Sequence, residues 1–274
     1  MRNKEAEFDS DKYNELLQID ADKAAVYKSE FDVPDVLYKY ISLDEFNDEE
    51  NEKRFKTLSE KSVWCSKYNL LNDPFEFKGI YFDRNRLLEA FDPAIYDELE
   101  KTWLESFVIS SFTSDKNNMP MWAHYANNHQ GFCIECSIGR KVAVQKVSYI
   151  EKRQPIANIL VDFFNYCKEF EKTGNKEAFQ KIGYLRTLLF QMYLAKHQSW
   201  QYENEYRLVY PLENEIKENG LKICLDDIGI CIKSIYCGIK CKKEHIDRLN
   251  EIASQIGADF RICTVSDEQF IVAK

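Results

Sequence analysis

The sequence predicts an α+β fold. Three observations point there: short strand-like runs recur at irregular spacing between Val36 and Val265, helical stretches fall between them without a repeating strand–helix–strand unit, and a helical pattern of 43 residues, Pro155–His197, interrupts the strands late in the chain. At 274 residues the chain is long enough for one or two domains with a full core.

The elements follow in order. Residues 1–35 are acidic and weakly periodic, and read as an N-terminal helical arm with a helix within Asp11–Lys28, closed by Val33-Pro34, where proline blocks helical continuation. Residues 36–274 then form a single α+β domain. Val36–Ile41 is expected as a strand, Asp44–Lys61 as a charged surface helix, Ser62–Ser66 as a strand and Lys67–Glu76 as a loop. Asp92-Pro93 supplies an N-cap and first-turn proline for a helix to about Glu105, Phe107–Thr113 reads as a strand, and Asn118 and Pro120 open a short helix through Asn127. Gly131–Ser137 and Lys141–Ile150 read as strands. The helical insertion follows, about residues 155–197, broken at Gly174-Asn175. Tyr202–Tyr210, Leu221–Leu225 and Cys231–Cys237 return to strand patterns. Ile246, Leu249, Ile252, Ala253 and Ile256 mark an amphipathic helix ending at Gly257, and Ala258–Val265 is the final strand.

Composition excludes several function classes. Only 9 glycines are present, none spaced to open a dinucleotide fingerprint, and no Gly-Lys-Ser/Thr exists for a P-loop. The net charge of −9 opposes general binding to a phosphate backbone, leaving room only for a local basic patch. No run approaches the roughly 18 apolar residues that span a bilayer, and the first residues lack the apolar core of an export signal, so a cytoplasmic protein with no membrane partner is expected. The 9 cysteines are then expected as reduced, mostly core thiols. Cys133 and Cys136 are three apart in a strand and point to opposite faces, Cys237 and Cys241 have only His245 nearby, and His124 and His129 are off the helical metal spacing. No metal is expected.

The most chemically loaded segment is Trp200–Arg207. As a strand it puts Glu203, Glu205 and Arg207 on one face and Tyr202, Tyr206, Leu208 and Tyr210 mainly on the other. Two readings stand side by side: a solvated face on which Arg207 neutralises its neighbours, or paired carboxylates in a cleft, one pKa raised by repulsion and the other group held ionised by the arginine. A second block joins Ser111 and Thr113 on one strand face with Trp122, His124 and Tyr125 on the short helix that follows. Hydroxyls and aromatics can cradle a planar ring and a ribose, although large aromatics more often fill interiors.

Together, Leu37-Tyr-Lys-Tyr40, Asn72-Asp-Pro-Phe-Glu76, Ser110-Ser-Phe-Thr113, Met121-Trp-Ala-His-Tyr125, His129-Gln-Gly131 and Trp200-x-Tyr-Glu-x-Glu-Tyr-Arg207 resemble the bacterial domain of unknown function 2971. The order of these motifs is also similar to that of the ADP-ribosyltransferase superfamily. That resemblance implies a mixed, mainly antiparallel split sheet with flanking helices, and NAD as the substrate. It implies Glu205 as the glutamate that contacts the nicotinamide ribose and Glu203 as the upstream acid that positions the acceptor. Lys39 or Tyr40 takes the first-strand role, Ser111 and Thr113 the middle-strand role, and Trp122 or Tyr125 stacks on nicotinamide. His124 and Arg207 complete the expected binding set.

The function so implied is an enzyme that cleaves NAD and transfers ADP-ribose to an unknown acceptor, with a toxin or phage-defence role in keeping. A non-catalytic ligand- or partner-binding module of the same fold, and a hydrolase or nuclease using the paired glutamates, are the alternatives.

Overall fold

Strand β1 (Val36–Ile41) organises the sheet in the computed structural model, which describes residues 7–81, 85, 98, 101–267 and 272–273. Val33 ends the preceding helix in extended backbone (φ −103°, ψ 121°), as a residue before proline prefers. Antiparallel β5 (Phe132–Ile138) pairs with β1 along its whole length, from Val36↔Ser137 to Ile41↔Phe132. Beyond β5 lie antiparallel β12 (Ile230–Cys237), parallel β13 (Asp259–Thr264) and the short β14 (Val272–Ala273).

The other side of β1 is different. Strand β4 (Phe107–Thr113) touches it through a single register pair, Tyr38↔Thr113. β4 then carries β10 (Glu205–Pro211) antiparallel along its full length, with β6 (Val144–Lys146) outside β10, and meets β2 (Ser62–Ser66) at Ser66↔Ile109. β2 is covered by β11 (Gly220–Cys224). The sheet is therefore mixed and mainly antiparallel, and it splays open between β1 and β4. Two parallel ribbons stand apart from it: β3 (Ile80–Tyr81) with β8 (Gln154–Pro155), and β7 (Ser148–Ile150) with β9 (Ala195–His197).

Helices flank the sheet. Asp20 both ends α1 (Ser10–Ile19) and caps α2 (Ala21–Asp32), its side chain accepting from Lys23 N, so the arm is two helices where the sequence predicts one. α3 (Asp48–Ser59) starts at Asn47, whose side chain accepts from Glu50 N, with three acids in the first turn. It packs with α7 (Lys243–Ile256) over the largest core cluster, which includes Leu37, Phe55, Phe132 and Ile252. On the opposite face α4 (Met119–Tyr125), capped by Asn118 with Pro120 in its first turn, buries Met121 and Trp122 against Tyr40, Cys133 and Tyr236. Cys136 lies in the first cluster and Cys133 in the second, the opposite faces expected for residues three apart in a strand.

The helical insertion is a hairpin, α5 (Ala157–Thr173) and α6 (Lys176–Tyr193), turned by Gly174 at φ 65°. Leu160 of α5 and Leu189 of α6 join Phe77 and Phe107 in a third cluster, while α1 and α2 pack on α6. No helix among the described residues is long and apolar enough to cross a membrane.

Three expected elements are corrected. Lys141–Ile150 is not one strand: after a 3-10 turn, β6 pairs with β10 and β7 with β9, the change of partner falling at Val147, whose N–H bonds Glu205 O. The strand expected from Tyr202 begins only at Glu205, because Gln198–Glu203 is a 3-10 helix closed by Asn204 in left-handed backbone (φ 42°). Residues 44–47 and 60–61, expected within the charged helix, lie outside α3. The helix expected over Asp92–Glu105 falls largely outside the described residues; residues 101–105 are helical.

Candidate active site

A small cleft of about 80 Å³ opens where β1 and β4 diverge. With one register pair between those strands, the Ser111 carbonyl has no ladder partner on β1, and Lys39 Nζ reaches across the gap to donate to it at 3.1 Å. Lys39 and Tyr40 of β1, Ser111 of β4, Tyr125 of α4, and Glu203 and Glu205 line the cleft.

Its floor is a buried network of charges. Antiparallel pairing sets Arg207 opposite Ser111 and Glu205 opposite Thr113. From there Glu205 Oε1 accepts from Ser111 Oγ at 2.6 Å and Arg207 Nε at 2.8 Å, while its Oε2 accepts from Arg207 Nη2 at 3.0 Å and Lys196 Nζ at 3.2 Å. Glu203 arrives from the 3-10 turn: Lys196 donates to its Oε2 at 2.6 Å and the Tyr125 hydroxyl to its Oε1. Glu76, from the loop before β3, accepts from Arg207 Nη2 at 2.6 Å and stands 3.8 Å from Lys196. All five charged side chains are at most 5% exposed.

These distances overturn the solvated-face reading. Glu203 and Glu205 converge without sharing a strand, because the left-handed Asn204 turns the chain between them and Tyr149 of β7 holds the new strand by accepting from Glu205 N at 2.8 Å. Lys196 sits among three carboxylates, and its ammonium supplies the positive charge at their centre. Burial alone raises a carboxyl pKa, and it does so for Glu76. At Glu205 burial is outweighed by the Arg207 guanidinium, then by Lys196 and the Ser111 hydroxyl, which hold the group down at about 2. Burial opposes the charge of Lys196, yet Glu205, Glu76 and Glu203 raise its pKa above the ordinary value. At Lys39 burial prevails and lowers it; at Tyr125 burial and then the bond to Glu203 raise it.

Three expected residues lie elsewhere. Trp122 is buried behind the cleft, edge-on to Tyr40 at 5.0 Å and stacked on His129 at 5.9 Å, with its Nε1 donating to Lys116 O. Thr113 is fully buried and its hydroxyl accepts from Asp115 N. His124 is exposed, its ring 6.5 Å from that of Tyr202. Tyr125 is therefore the α4 aromatic that reaches the cleft, with Asn72 Nδ2 donating to its hydroxyl at 2.9 Å.

Residue-by-residue reasoning missed Glu76, Lys196 and Tyr149. Glu76 carried a usable signal, an acid closing the Asn72–Glu76 motif. Lys196 carried a weaker one, a cation between Ala195 and the start of the loaded segment.

The family model described as a protein of unknown function (DUF2971) matches residues 121–208, about a third of the chain, running from α4 to the Glu203–Arg207 cluster, and supports the family that the motifs resemble. No curated protein and no solved structure matches the chain.

Proposed function

We propose that the cleft binds the nicotinamide ribose of NAD and cleaves its glycosidic bond, transferring ADP-ribose to an unidentified acceptor. The observation that carries this reading is the adjacency of β1, β4 and β10 at the split, which brings Lys39, Ser111 and Glu205 to one cleft in the strand roles that the motif order implies. A buried carboxylate with a pKa near 2 stays ionised throughout the physiological range and presents a fixed negative charge to a developing cation. The ribose–nicotinamide C–N bond breaks with its electron pair passing into the pyridinium, which leaves neutral. The ribose carbon gains oxocarbenium character opposite Glu205. A lone pair of the acceptor forms the new bond to that carbon, and the acceptor's proton passes to Glu203. Tyr125, held by Glu203 and Asn72, supplies the aromatic edge for the departing ring. Such an enzyme would work in the bacterial cytoplasm, where a toxin or phage-defence effector finds its NAD.

Incubation of the protein with NAD and cell extract is expected to release nicotinamide and label an acceptor. Glu205→Gln should lower release by at least ~100-fold, the scale of losing one electrostatic contact in the transition state. Release by wild type no faster than by that variant removes the reading. One observation favours a second reading, a non-catalytic binding module: Ser111, Arg207 and Lys196 already give Glu205 four hydrogen bonds. NAD binding without turnover, weakened by Tyr125→Ala, would select it.

A further inference from the structure

The two segments that carry Glu76 and Lys196 form a wall with a second face. Along 75–78, Glu76 and Phe77 are buried while Phe75 and Lys78 are exposed; along 196–199, Lys196 is buried while His197 and Ser199 are exposed. The outward side chains, with Trp200 and the turn Ile150–Arg153, line a groove of about 540 Å³, within the roughly 300–1,000 Å³ typical of ligand sites.

The chemistry of this groove has two parts. One is aromatic. Phe75 is 74% exposed and stacks on no other ring among the described residues, and half-buried Trp200 lines the same groove, its ring centroid 4.9 Å from Lys196 Nζ. The other part is cationic. Lys78 and Lys152 make no ion pair among the described residues, and Arg153 is fixed in place by donating from Nε to Lys78 O and from Nη2 to Ile80 O, both at 2.6 Å. The acids lining the groove are Glu151 and the buried Asp73, whose Oδ1 is occupied by Phe75 N. In a chain of net charge −9, three cations beside an unpartnered aromatic ring form a local reversal of charge.

We propose that this groove binds a nucleoside phosphate, its base on the Phe75 and Trp200 rings and its phosphates held by Lys78, Lys152 and Arg153. Aromatic side chains take the face of any base, and lysine and arginine take phosphate oxygens, so the pairing recognises this ligand class where either part alone would not. The site is distinct from the cleft and does not rest on the NAD reading. The two meet where Trp200, which lines the groove, lies 4.9 Å from Nζ of Lys196, which lines the cleft.

Calorimetric titration of the full chain with ADP tests the proposal. Saturable binding is expected, weakened at least ~10-fold by Phe75→Ala and by Lys78→Glu combined with Lys152→Glu. These positions are exposed, so unchanged melting temperatures are expected and will separate lost binding from lost folding. The proposal is overturned by three results: no saturable ADP binding, ADP binding indifferent to both groove variants, or binding of a thymidine hexanucleotide without binding of ADP. Nicotinamide release, measured separately, leaves each of these outcomes interpretable.

Discussion

Glu205 and Glu76 share one guanidinium and are pushed in opposite directions by the same cluster. Glu205 has its folded pKa depressed to about 2 against an ordinary 4.5, so it contributes stability that is complete above pH 4.5 and disappears as pH falls towards 2. The shift corresponds to roughly 3 kcal/mol. Melting temperatures of wild type and Glu205→Gln should therefore differ most at neutral pH and converge below about 4.5. Glu76 has its pKa raised by burial, so its ionised form costs stability as pH rises, and Glu76→Gln should show the opposite slope against wild type. Parallel slopes would disprove the assignment of the two carboxylates. Much of this was visible in the sequence: Glu203-x-Glu205-x-Arg207 announces a charged constellation. What spacing could not announce is the partner. Lys196 and Glu76 come to Glu205 through β9 and a loop paired elsewhere, and no local pattern encodes an approach from 129 residues away (205 − 76).

Among the elements, β5 shows why strand positions were legible and turns were not. Its alternation and flanks were read to within a residue, as were those of β1, β2 and β4, since each is a run of β-formers whose burial depends on its own sequence. The entry to β5 depends instead on backbone geometry. Asn127, Asn128 and His129 all adopt positive φ, and Gly131 follows with its α-carbon so close to β1 that an added Cβ would lie 2.1 Å from Ile41 O. Gly131→Ala must therefore displace backbone. A loss of several kcal/mol is expected in chemical denaturation, whereas Asn128→Gly, relieving a left-handed residue, should gain about 1 kcal/mol. A stable Gly131→Ala variant would show that the contact between β1 and this turn is not tight. The unread joints at Val147 and Asn204 have the same origin: partners and φ values are set by tertiary pairing, which period-two patterns do not record.

On the scale of the whole molecule, the N-terminal helices and the cleft are separable. α1 and α2 pack on α6, burying Leu17 and Ala24, and no residue of these helices lines the cleft. Deleting residues 1–32 should lower stability by a few kcal/mol, or on the order of 5–10 °C, and leave nicotinamide release by the remaining folded protein unchanged. Loss of release at full folding would place the arm in the mechanism. The charge cluster, by contrast, draws on residues 76, 196, 203, 205 and 207, and that distribution sets a time as well as a place. At a synthesis rate of roughly 5–20 residues per second, the carboxylate of Glu76 is made many seconds before either of its cations. Until β10 has emerged and laddered onto β4, the acids have nothing to desolvate against and remain in water. A cell producing this chain thus meets the cleft only after Pro211 has left the ribosome, and every shorter nascent fragment lacks its floor.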